Sequence, residues 1–68
     1  MIKLPQSVIL PTAPIASAGI VYAAIGASRQ RVAGWRSRHG FPASQERKID
    51  VSAVAAWLSN RSVKVFWI

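Results

Sequence analysis

Sixty-eight residues with no cysteine and a single histidine bound the chain to one domain with a small core, no disulfide and no thiolate metal site. Nine lysines and arginines against two acids give a formal net charge of +7, which points to an anionic partner: DNA, RNA or a membrane surface. No residues pair a nucleophile with a base, set two carboxylates about a substrate or cradle a phosphate with glycines. The expectation is therefore a protein that is not an enzyme, with no catalytic residue, no metal and no cofactor.

Residues 1–14 read as an arm. Ile2, Leu4, Val8, Ile9 and Leu10 are apolar, while Pro5, Pro11 and Pro14 interrupt any helix. Short extended pieces are expected, with a strand near residues 8–10 that covers the core or pairs with another strand. Residues 5–28 carry no charge. That length suits a bilayer span with the arginines after it on the cytoplasmic side, which defines the alternative of a small membrane-anchored basic protein. The prolines, the hydroxyl residues and the low hydrophobicity of alanine weigh against a span. The positive charge also follows the apolar stretch, whereas a signal peptide begins with it.

Ser17 is placed to cap a helix over residues 18–25, with Ile20, Val21, Ala24 and Ile25 as its apolar face and Tyr22 at its edge, hydroxyl in water. Gly26 suits a turn that needs positive φ. Ser28 then caps a second helix that runs to Arg38. Val32 and Trp35 share one face of it and can meet Ile25. At 100° per residue, Gln30, Gly34 and Ser37 point away from that seam. Arg29, Ala33 and Arg36 lie along one flank, and Arg31 and Arg38 along the other. Residues 26–45 contain no acid, and six of the nine basic residues fall between residues 29 and 48. A solubilising surface normally mixes signs, so this one is read as facing DNA. Arg29, Gln30 and Arg36 are assigned to the major groove, Ser28, Ala33 and Ser37 are counted with them as DNA-binding residues, and His39 is read as a helix-end cation or a phosphate contact. Arg31, Arg38, Arg47 and Lys48 are assigned to phosphates.

Gly40 fits a left-handed C-terminal position and Pro42 follows it, so the second helix stops there, and Phe41 folds back near Trp35. Residues 43–49 read as an exposed hairpin or loop. Asp50 caps a last helix over residues 51–60, whose stripe of Val51, Val54, Trp57 and Leu58 is buried. The tail, residues 61–68, reads as a β-strand with apolar side chains on both faces. Val63, Val65, Phe66, Trp67 and Ile68 are assigned to a contact between chains, in a two-fold dimer or a head-to-tail oligomer. The other possibility is that the tail folds back and pairs with the arm inside one subunit.

The sequence Ala23-Ala24-Ile25-Gly26-Ala27-Ser28, then Val32 and Trp35, then Gly40-Phe41-Pro42, then Arg47-Lys48-Ile49-Asp50 leading into Val54-Ala55-Ala56-Trp57-Leu58, has a familiar order. Residues 15–58 resemble the small winged helix-turn-helix proteins of temperate phages and mobile elements: excisionases, Cox-type repressor/excisionases and AlpA-like regulators, related in fold to the N-terminal domain of the MerR family. The resemblance implies an α+β, mostly helical fold: a winged helix-turn-helix with a short wing and terminal β-strands. The chain then divides into an arm (1–14), the winged domain (15–60) and a strand tail (61–68). It also implies a sequence-specific double-stranded DNA-binding protein that serves as a recombination directionality factor, a transcriptional regulator or both. Its setting would be the cytoplasm of a bacterial host, with a recombinase as a further partner and no membrane partner. Residues 27–35 and the Gly-Phe-Pro-Ala at 40–43 also resemble a Cro-type repressor, whose helical body fits the remainder less closely. The N-terminal domain of phage terminase small subunits is a third resemblance.

Overall fold

A computed structural model describes residues 3–68. Among them, three helices and four short strands form a small α+β body. Its elements in chain order are β1 (Ser7–Leu10), β2 (Ile15–Ser17), α1 (Ala18–Ile25), α2 (Arg29–Arg38), β3 (Lys48–Asp50), α3 (Val51–Ser59) and β4 (Lys64–Trp67). The expected arm residue Ile2 lies outside the described residues.

The arm and the tail meet. β1 and β4 form a two-stranded parallel sheet in which Val8 pairs with Val65 and Ile9 with Phe66. The Lys64 N–H donates to the Gln6 carbonyl and the Ile68 N–H to the Leu10 carbonyl, which extends the ladder at both ends. Strand alternation sends Val8 and Leu10 into the core and Ile9 outward. This is the intrachain pairing that the sequence left open. It changes the assignment of Val63, which is buried in the chain's own core, and Val65 packs partly against that core. Phe66, Trp67 and Ile68 remain exposed.

The helices form where the local chemistry requires them. Gly26 closes α1 at φ 79°, and its N–H reaches the Tyr22 and Ala23 carbonyls. Ser28 is extended, and its Oγ accepts the Arg31 N–H at 3.2 Å, a side-chain cap for α2. Asp50 does the same for α3, its Oδ1 accepting the Ala53 N–H at 3.2 Å. Ser17 departs from expectation: it precedes α1 but makes no side-chain cap. It is the last residue of β2, and the N–H of Ala18 goes to the Arg47 carbonyl at 2.8 Å instead. The strand pairing has taken over the role of the cap.

The face that α1 buries is also rotated from the expected one. Ala18, Val21, Tyr22 and Ile25 are buried, an i, i+3, i+4, i+7 stripe, while Ile20 is 60% exposed. Tyr22 is large enough to replace it, and its ring lies 6.4 Å from that of Phe41.

The second sheet is the part least visible in sequence. β2 and β3 pair antiparallel, Ala16 opposite Ile49. The segment expected to be an exposed hairpin or loop therefore ends in a paired strand with Ile49 buried. The turn before β3 is a two-residue hairpin. Gln45 and Lys48 exchange both backbone hydrogen bonds at 2.8 Å, with Glu46 at φ 52° and Arg47 at φ 65°. Two central residues at positive φ define a type I′ turn, normally built from Asn and Gly.

The core is aromatic at its centre. The Trp35 and Trp57 rings stack at 5.6 Å, and Phe41 meets Trp57 edge-on at 4.8 Å. Val32, Val54, Leu58 and Ile25, expected to be buried with them, are. Val8, Leu10, Ile49 and Val63 complete the cluster from the strands.

Candidate nucleic-acid interface

α2 is held on one face and at both ends. Val32 and Trp35 are its buried residues. Ser28 fixes the N-terminus. At the C-terminus, the N–H groups of His39 and Phe41 both donate to the Trp35 carbonyl, with Gly40 at φ 70° between them. The carbonyl of His39 then accepts two further bonds at 2.8 Å, from Trp57 Nε1 and from Arg61 Nη2. The Arg61 guanidinium also lies 4.1 Å from the centre of the Trp57 ring. This arginine therefore ties α2 to α3, and its charge is directed inward. No feature of the sequence separated Arg61 from the other basic residues.

The remaining faces of α2 are in water. Arg29, Gln30, Arg31, Ala33, Arg36, Ser37 and Arg38 are exposed, whereas His39 is half-buried at the helix end. The ridge of Gln30, Gly34 and Ser37 offers an amide and a hydroxyl on either side of a glycine, with the methyl of Ala33 on the flank beside it. The Ser37 hydroxyl donates to the Ala33 and Gly34 carbonyls at 3.3 and 3.2 Å, which leaves its lone pairs free to accept. A helix held rigidly, with a small neutral ridge and cationic flanks, has the shape and chemistry of an element that enters a DNA groove.

The basic residues divide into groups that the sequence did not separate. Arg29 and Arg36 line a cleft together with Arg47 from the hairpin tip, across from the first turn of α1. The cleft is about 450 Å³, and Tyr22, Ser44 and Gly19 also line it; no acidic residue does. Arg31 and Arg38 lie on the other flank of α2, outside this cleft. Lys48 follows Arg47 by one residue and lies on another side of the hairpin, among Ile15, Gln45 and Glu46. Arg47 sits in the turn at positive φ and Lys48 opens β3, so the pair expected to act together is split.

Tyr22, Ser44 and Gly19 were not anticipated as site residues. Tyr22 had a detectable signal, its place one turn after Ala18 on the face that becomes buried. Ser44 had none, because its position depends on the hairpin.

No protein-family model matches the chain, and comparisons with curated proteins and with solved structures also find no match. Among the described residues, no helix is long and apolar enough to cross a membrane. None of them form a group of three or more potential metal ligands.

Proposed function

We propose that this protein is a sequence-specific double-stranded DNA-binding protein in which α1, the Gly26 turn and α2 act as a helix-turn-helix and the Gln45–Lys48 hairpin that leads into β3 acts as a short wing. The observation that carries this reading is the exposed face of α2: Gln30 and Ser37 along the ridge, with arginines on both flanks and no acid. α2 lies in the major groove with the ridge toward base edges. Arg29 and Arg36 accompany Gln30 in the groove, while Arg31, Arg38 and the residues Arg47 and Lys48 contact the backbone. The residues of α2 and the hairpin themselves support DNA binding. The role in excision or transcriptional regulation at a phage or mobile-element site, with a recombinase beside it, follows from the resemblance of residues 15–58 described above.

Self-association belongs to the same proposal. Parallel sheets are ordinarily covered on both faces. Here the outer face of β1–β4 carries Ile9, 54% exposed, directly opposite Phe66, 53% exposed, with Ile68 beyond. A second copy covers this face, and a two-fold pair suits half-sites about one helical turn apart.

The test of the DNA reading is competition binding on a duplex selected for affinity. Gln30→Ala should cost about 1–3 kcal/mol on the selected site and much less on random duplex. Equal binding of both proteins to the selected site means that the ridge of α2 does not face the bases.

A further inference from the structure

The arginine cleft between α2 and the hairpin has a different character from the ridge. Three guanidinium-bearing residues from two separate elements, Arg29, Arg36 and Arg47, surround one space, and no acidic residue lines it. Like charges brought together without a counterion repel one another, and an anion between them reverses the sign of that interaction. The other groups around the cleft are donors as well. Tyr22 and Ser44 supply hydroxyls. Gly19 belongs to the first turn of α1, where the Ala18 N–H is taken by the Arg47 carbonyl and the N–H groups that follow have no intrahelical acceptor and no side-chain cap from Ser17.

Arg47 is held in this place at a cost. It sits at φ 65°, a conformation that disfavours a Cβ, in a turn where Asn-Gly is the relaxed choice. Its carbonyl is bound by the Ala18 N–H at 2.8 Å, so the turn is locked to the start of α1. A glycine at residue 47 would relieve the backbone but present nothing to the cleft. Strain of this kind persists where the side chain has a task.

We infer that Arg29, Arg36 and Arg47 form a clamp for one phosphate group, and that in the DNA complex its occupant is a single backbone phosphodiester. This rests on the DNA-binding reading and refines it. Arg29 and Arg36 leave the base-reading set, and sequence discrimination falls to Gln30 and Ser37. A bidentate guanidinium contact suits phosphate oxygens, and the clamp fixes the register of α2 in the groove without reading sequence.

The decisive variant is Arg47→Gly, because the backbone there already has the conformation that glycine prefers and the fold is kept. The clamp predicts two effects at once. The melting temperature rises, and duplex binding weakens about tenfold or more on the selected site and on random duplex alike, as the loss of a charged hydrogen bond implies. The salt slope falls by about one. A fall in melting temperature together with full DNA affinity would make Arg47 a structural residue and overturn the clamp. Arg36→Gln supplies the second criterion: it should weaken all duplexes equally, and a loss confined to the selected site returns Arg36 to base reading.

A DNA-free arm separates this claim from the reading beneath it. Titrating the parent protein with inorganic pyrophosphate at low ionic strength should shift the amide resonances of Gly19 and Arg47 ahead of those of Arg31 and Arg38. The same titration of Arg47→Gly should lose the preference for Gly19. Shifts spread evenly over all exposed arginines show only diffuse charge and contradict the clamp. If pyrophosphate binds in the cleft but no duplex binds, the clamp stands as an anion site and the DNA reading falls.

Discussion

Single residues hold this small body together through contacts that join elements. Trp57 is the clearest case. Its ring stacks on Trp35, meets Phe41 edge-on and supports the Arg61 guanidinium, and its Nε1 anchors the His39 carbonyl at the end of α2. Truncating a buried tryptophan costs about 3–5 kcal/mol, comparable with the whole stability of a domain this size. Trp57→Ala should therefore be largely unfolded at 25 °C by circular dichroism. An unchanged melting temperature would contradict the placement of α3 in the core. Positive φ is a second residue-scale device. Gly26 and Gly40 use it freely, whereas Glu46, Arg47 and Ser62 carry side chains there. At Ser62 the Val63 N–H bonds to the Leu58 carbonyl and the Ser62 N–H to the Ser59 carbonyl, so a serine closes α3 where glycine is usual.

At the scale of elements, the outer face of β1–β4 carries a direct prediction. Phe66 is half-exposed and pairs with Ile9 across the sheet, so a lysine there meets solvent in the single chain. Phe66→Lys should stay folded, sediment as a monomer and lose cooperative binding to DNA with two half-sites. If the parent sediments as a monomer at high concentration and binds such sites without cooperativity, the second copy is not the cover. Deleting the tail would be a poorer test, because Val63 and Val65 belong to the core cluster or pack against it.

The helices and most of their ends were legible because their determinants are local: Ser28 before α2, Asp50 before α3, Gly26 after α1; the Ser17 cap was not, because a strand pairing replaces it. The apolar stripe of α3 and the aromatic partners Trp35, Phe41 and Trp57 were legible for the same reason. The strands were harder. β2 is three residues long and pairs with a segment more than thirty positions away, so neither half carries its own signature. The I′ turn is built from Glu and Arg, which no turn preference identifies. The tail read as a strand, but its pairing with the arm depends on tertiary placement. At the candidate site, the residue types and the helix face were readable from spacing alone. The grouping of Arg29 and Arg36 with Arg47, and the withdrawal of Arg61, were not, because each depends on where the hairpin and α3 come to rest.

At the scale of the molecule, charge and architecture point the same way. The basic residues behind the net charge of +7 are concentrated on α2 and the hairpin tip, while the outer face of β1–β4 is apolar. One side is suited to a polyanion and the other to a neighbouring copy. The central claim is that α2 and the hairpin engage duplex DNA through about four phosphates, one in the arginine clamp and one each at Arg31, Arg38 and Lys48, and read it through the ridge. The most direct test is the salt dependence of binding to a fluorescent duplex and to the matching single strand. On the duplex, log K should fall linearly with log salt concentration with a slope of roughly −3 to −4, and the selected site should stay tighter than random duplex throughout. A slope near zero, or equal affinity for the single strand and every duplex, would contradict the account.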